Sequence, residues 1–127
     1  YRKKYLLSFL YTGRSLAILA FLNAPVSETS ILLFAAAVGL LWLGTVPLTS
    51  GIVAQVFGVR HMAMLFGIVY FSHQLGSFSG VWLGGRLYDA TGNYDAIWWI
   101  AIVLGFITAL VHMPIDDRPL ERVASAA

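Results

Sequence analysis

Tyr70, His73, Gln74 and Ser77 stand at i, i+3, i+4 and i+7 in an otherwise apolar stretch, a spacing that aligns them on one face of a helix. They carry a phenol, an imidazole, a carboxamide and a hydroxyl, so the strip can donate and accept hydrogen bonds. His73 adds a group that titrates near neutral pH. Two uses fit this strip: binding a solute and coupling protons to its movement, or hydrogen bonding to neighbouring helices as structural glue. On a flank about a quarter turn away, Ser72, Gly76, Gly80 and Gly84 form a small-xxx-small strip. Such a strip lets another helix backbone approach closely.

A second group lies upstream. Trp42, Thr45 and Thr49 share one helical face, and Gly44, Pro47 and Gly51 the opposite one. Pro47 lacks a backbone N–H and its ring crowds the carbonyl of Leu43, so a kink is expected in mid-helix. A kinked helix exposes carbonyls and hydroxyls to a cavity, which makes the Trp42 face a candidate solute contact. The alternative is a Trp packed against lipid or a neighbour, with hydroxyls bonded back to their own helix.

Charges are few and their positions tell. Arg14 falls in the middle of an apolar stretch, where it pairs with an anionic solute, reaches an interface, or serves a carboxylate elsewhere in a longer protein. Arg86 and Asp89, three apart, are candidates for a gate-like ion pair. His61 and His112 sit near segment ends and read as interfacial groups, not ligands. No His or carboxylate pair has metal-site spacing, and no cofactor motif is present. Gly76-Ser-Phe-Ser-Gly80 is not a nucleophile elbow, because it lies within a helical pattern. The residues therefore do not point to an enzyme.

The elements that position these groups follow from composition. The chain has 127 residues, 59% hydrophobic and only 11% charged, with a mean hydropathy of +0.79, which places it among integral membrane proteins. A net charge of +2, scattered at segment ends, excludes a nucleic-acid footprint. The absence of cysteine excludes disulfides and thiolate metal sites. Four apolar spans are expected, about residues 5–22, 30–54, 62–85 and 96–113. They are joined by turns at 23–28, at 55–61 and at 86–95, the last built on Thr91-Gly92-Asn93. Trp98 and Trp99 read as interfacial anchors, Pro114 as a stop, and 115–127 as a cytoplasmic tail ending in disordered small residues. A basic start without a small-residue cleavage site does not resemble a signal peptide, so Tyr1 reads as a cut end within a longer protein.

Four antiparallel spans place both termini on one side. Arg2, Lys3, Lys4, Arg60, Arg118 and Arg122 fall on that side and Arg86 alone on the other. The positive-inside rule makes the terminal side cytoplasmic, in the cell membrane.

The stretches GLLWLGTVPLTSGIVAQVFGVR and FGIVYFSHQLGSFSGVWLGGRLYDATGNYD, with the basic start and four spans, resemble the C-terminal part of a major facilitator superfamily transporter. Within it they are most similar to bacterial relatives of the monocarboxylate and oxalate/formate carriers. The resemblance implies an all-α membrane fold in which this chain is helices nine to twelve of twelve. The tenth helix would line the central cavity, putting Trp42, Thr45 and Thr49 toward solute. The eleventh would lie along the other bundle, with Gly76, Gly80 and Gly84 letting the bundles rock. The ninth and twelfth would stand outside. The implied function is secondary transport of a small organic solute, a monocarboxylate by subgroup, by alternating access with proton coupling. The implied partners are the lipid bilayer, the solute, protons and upstream helices of the same protein. The competing reading is a small four-span membrane scaffold or assembly protein that uses the glycine strip as an oligomer interface. A small four-span exporter of cations ranks lower, because no acidic residue lies within a span.

Overall fold

The apolar run that follows Arg2-Lys3-Lys4 contains no proline before Pro25 and forms one uninterrupted helix, α1 (Lys3–Asn23). The structure, a computed structural model, describes residues 2–118. Tyr1 and the tail residues Glu121 and Arg122, together with the expected disorder of the tail, lie outside the described residues.

After the turn at Pro25, Ser27 opens α2 (Glu28–Leu43). The Ser30 amide donates to the Ser27 hydroxyl at 3.1 Å and the Ser27 amide to the Ser30 hydroxyl at 2.9 Å. This reciprocal cap satisfies two otherwise orphaned donors, and Glu28 in the first turn suits the positive end of the helix dipole. The second span is interrupted at Gly44 and resumes as α3 (Thr45–Phe57). The break lies just N-terminal to Pro47, next to Leu43, whose carbonyl loses the donor that residue 47 would have supplied. Gly58, at φ 78°, ends α3, and a single 3-10 turn, Val59–His61, leads into α4 (Met62–Thr91).

α4 has 30 residues and continues six positions beyond the expected end of its span. The stretch 86–91 reads as loop in the sequence, yet Arg86 to Thr91 are all helix-compatible, and the stop comes only at Gly92. Gly92 adopts φ 73°, and its N–H reaches the Tyr88 carbonyl at 2.7 Å, a left-handed cap that glycine adopts without steric cost. α5 (Asp95–His112) follows, and Pro114 lies just past its end. No strand occurs among the described residues.

Among the described residues three helical segments are long and apolar enough to cross a bilayer: Lys3–Asn23, Glu28–Phe57 and Asp95–His112. The sequence pattern predicts four. α4 has the length, about 45 Å at 1.5 Å per residue, but His73 and Gln74 interrupt its apolar run.

The bundle centres on α1, which packs against α5, α2 and α3, while α4 leans only on α3 and α5. The α1–α5 seam holds most of the buried residues: Leu7, Ser8, Ser15 and Ile18 from one helix, Ile102 and Ala109 from the other. Ser8 Oγ donates to the Ala109 carbonyl at 2.8 Å and Ser15 Oγ to the Ile102 carbonyl at 3.2 Å, so both buried hydroxyls are satisfied across the seam. Opposite Ser15 stands Gly105, where an added Cβ would collide with the Ser15 hydroxyl. At the far end Phe21 stacks on Phe34 at 4.3 Å, and Phe34 meets Trp98 edge-on at 6.0 Å. Trp98 is thus a packing residue, while Trp99 is exposed.

The basic start works as a clasp. Lys4 is buried and its ammonium donates to the Met113 and Ile115 carbonyls at 3.0 and 2.7 Å, capping the negative end of α5. Lys3 reaches the Gly51 carbonyl at 3.0 Å. Arg2 donates from Nε (3.1 Å) and Nη2 (2.9 Å) to one oxygen of buried Asp117, whose main-chain carbonyl accepts from Gln55 at 2.7 Å. Burial pushes the Asp117 carboxyl upward, but the Arg2 hydrogen bonds and charge, with help from Lys4, hold it below its ordinary value. The same hydrogen bond raises Arg2.

Candidate functional site

Each of the four sides of the bundle contributes to one cavity of about 370 Å³. α1 supplies Tyr11 and Arg14, which share a face three residues apart. Trp42 comes from the last turn of α2, and Thr45, Val46 and Thr49 from the first turns of α3, either side of the break. α4 adds Phe66, Val69, Tyr70 and His73, and α5 adds His112 from its last turn. A volume of this size suits a small organic molecule.

Five of the six expected solute contacts therefore meet: Trp42, Thr45, Thr49, Tyr70 and His73. Gln74 is not in the wall, since one further residue turns it about 100° away from His73. The Tyr70 and His73 rings lie 5.9 Å apart, with Phe66 6.3 Å from Tyr70, so α4 presents an aromatic ladder. The threonine hydroxyls bond back to their own helix: Thr45 to the Leu41 carbonyl at 3.3 Å and Thr49 to the Thr45 carbonyl at 2.8 Å. The hydroxyls are thus bonded back to their own helix, the alternative expected for this face, and each oxygen keeps acceptor lone pairs after its hydrogen is used.

Arg14 belongs to the cavity, not to an interface. Its guanidinium carbon lies 4.6 Å from the Trp42 ring centroid and 5.6 Å from that of Tyr11, within cation–π range of both. No carboxylate pairs with it among the described residues. A smaller cavity of about 240 Å³ lies on its other side, against Ser15, Ile18 and Gly105, so Arg14 and Tyr11 partition the two spaces.

His112, in the last turn of α5, stacks its ring on Tyr11 at 5.2 Å within the cavity wall. Its Nδ1 is 2.7 Å from the Thr108 carbonyl, which can only accept, so Nδ1 carries a hydrogen. Tyr11 escapes the sequence reading altogether. The signal available is its i, i+3 relation to Arg14, and nothing in the chain's periodicity says which helix that face will meet.

The expected Arg86–Asp89 ion pair is also corrected. No ion pair joins them among the described residues, and Arg86 instead folds back one turn over Trp82, 5.6 Å from its ring centroid. On α4 the side chain reaches toward its own N-terminal turn, and an exposed pair would have offered little in return. The glycine strip is open. At Gly76 and Gly80 an added Cβ would meet nothing within 4 Å, and at buried Gly84 only Ile97, at 3.9 Å. Phe78, Val81 and Trp82 on the same helix are exposed. Among the described residues no three His, Asp or Glu side chains are grouped to hold a metal ion.

Residues 1–127 match the sequence model of the family described as Major Facilitator Superfamily. The chain is 32% identical over 89 residues to the uncharacterized MFS-type transporter YcxA of Bacillus subtilis (strain 168). That alignment covers 69% of this chain and 21% of the relative, so the chain spans about a fifth of the length of the protein it matches. No solved structure matches it.

Proposed function

Because the chain belongs to the major facilitator superfamily, we propose that it is the C-terminal part of a secondary transporter and that the cavity beside the α2–α3 break belongs to the solute path. The observation that carries this reading is the convergence of Trp42, Thr45, Thr49, Tyr70 and His73, from three helical segments, on one small-molecule-sized space. A helix broken beside a cavity is the arrangement by which transporter folds place binding groups at mid-membrane. The solute class proposed is a monocarboxylate, in keeping with the cation and the absence of any acidic residue in the cavity wall. Movement proceeds by alternating access in a cell membrane, with the described termini cytoplasmic and protons as co-substrate through His73.

α4 supports the same reading from another direction. Its exposed face and open glycines are suited to a second helical bundle of the same protein, and an alignment that covers 21% of the relative leaves ample chain for one. An oligomeric scaffold would also use that face, but it gives no role to the cavity.

The test is a solute-uptake panel on the complete protein in proteoliposomes, with and without an imposed pH gradient. Uptake of a monocarboxylate driven by inward-directed protons is expected, and His73→Gln should abolish the pH drive while sparing solute exchange. Unchanged pH dependence would assign His73 to structure, and no transport of any solute would favour the scaffold.

A further inference from the structure

The two cavities stand in series along α1. Contacts between α1 and α5 set a scale of depth. Lys4 meets Met113 at the clasp end, Ser8 meets Ala109, Ser15 meets Ile102, and Phe21, Phe34 and Trp98 close the far end. On this scale the larger cavity, which includes His112 and Thr49, reaches toward the clasp, and the smaller one, which includes Ile18 and Ala101, toward the far end. Tyr11 and Arg14 belong to both walls and so form the neck between them. Arg14 lies near the centre of the 21-residue α1, about 15 Å from either end at 1.5 Å per residue.

Both spaces can hold water. Their volumes of about 370 and 240 Å³ far exceed the roughly 10–15 Å³ that one water needs. The larger wall offers the hydroxyls of Thr45, Thr49 and Tyr70 and the rings of His73 and His112, and the smaller wall those of Ser15 and Thr108. A file of waters through the neck would pass protons without solute and drain the gradient that drives coupled transport. What stands at the neck is a positive charge held beside two rings, Trp42 at 4.6 Å and Tyr11 at 5.6 Å. Among the described residues no acidic side chain lines either cavity to offset it, and an arginine stays charged at every pH the protein meets. In a confined passage of low dielectric such a charge repels hydronium and metal cations.

Resting on the transport reading and deepening it, we propose that Arg14 is the charge barrier of the passage, turning back protons and metal cations at the neck. Tyr11, which stacks on His112 and lies beside Arg14, narrows the neck from the same helix. His73 and His112 line the larger cavity alone. A proton that reaches them from the clasp end goes no further through water, and crosses only on a side chain that moves with the transport cycle. The role requires the charge of Arg14, not the shape of its guanidinium.

The complete protein in proteoliposomes loaded with pyranine tests this, with no solute present and an inside-negative potential set by potassium and valinomycin. The unsubstituted protein should acidify the lumen no faster than protein-free vesicles do. Arg14→Gln should raise the rate about tenfold or more, and Arg14→Met, a second uncharged variant, should do the same. Arg14→Lys, which keeps the charge and loses the planar group, should stay within about twofold of the unsubstituted protein. A leak through the unsubstituted protein well above that of protein-free vesicles overturns the barrier with no variant required. Proton-tight uncharged variants overturn it too, and an equal rise in Arg14→Lys and Arg14→Gln would make Arg14 a packing residue. The solute-uptake panel on the same vesicles separates this from the transport reading. A charge-dependent leak without uptake of any solute upholds the barrier and sinks transport, whereas uptake by the unsubstituted protein with a proton-tight Arg14→Gln upholds transport and sinks the barrier.

Discussion

Glycine plays opposite parts at the two edges of this bundle. On α5, Gly105 faces Ser15 so closely that a single added carbon would collide with the hydroxyl. On α4, Gly76 and Gly80 face nothing within 4 Å. Yet it is α4 whose spacing reads as a packing strip, while Gly105 sits alone in an apolar run. The difference teaches that a small-residue pattern states a capacity for close approach, and that the partner decides whether it is used. At the α1–α5 seam the partner is present, with two serines bonding across to carbonyls. At α4 no such partner stands against Gly76 and Gly80 among the described residues, and the helix exposes large apolar side chains such as Phe71 and Phe78.

This contrast can be broken most forcefully at Gly105. Gly105→Leu should separate α1 from α5 and destabilise the protein by about 3 kcal/mol or more, since overpacking alone costs roughly 1–3 kcal/mol and the two cross-seam hydrogen bonds go with it. Thermal unfolding in detergent measures this, and a midpoint within a degree or two of the original would show that the seam is looser than the geometry indicates.

Gly80→Leu should behave differently. With open space around it, the substitution leaves this part of the bundle intact, but in the complete protein it should cut transport or assembly by roughly tenfold if a second bundle docks there. Undiminished uptake by the Gly80→Leu protein would instead make this face lipid-exposed.

A third test concerns the clasp at the base of α1. Asp117 titrates below its ordinary value in the folded protein, so its contribution is complete above the unfolded carboxylate range and is lost as pH falls through the depressed folded value. The thermal midpoint should therefore decline toward acid. Asp117→Asn should flatten that decline, and an unchanged acid slope in the variant would remove Asp117 from the account.

The smallest effects belong to the seam serines. Ser8→Ala and Ser15→Ala should each cost about 0.6 kcal/mol, the average for interhelical hydrogen bonds in membrane bundles. Because each hydroxyl is buried and bonded, a double variant should sum the two losses, and a larger coupled loss would show that the seam moves as a unit.

Much of the molecule is legible in its residues alone. The all-α class follows from apolar stretches long enough to cross a bilayer, the break near Gly44 follows from Pro47, and the grouping of Trp42, Thr45 and Thr49 follows from helical spacing. These are local properties, set by residue type and by a period of 3.6. The family resemblance also rests on local strings of residues, and the match across the chain supports it at the level of the superfamily.

What the sequence by itself determined, then, is which faces each helix has. What only the tertiary structure decided is which faces meet. Arg14 lies on Trp42 because α1 stands beside α2, and His112 enters the cavity because the last turn of α5 ends against Tyr11. The Arg2–Asp117 and Lys4–Ile115 contacts join residues more than a hundred positions apart. The physical reason is that hydropathy carries direction within one helix and none between helices in lipid, where one apolar flank is as good as another. There, close fit and hydrogen bonding choose the neighbour.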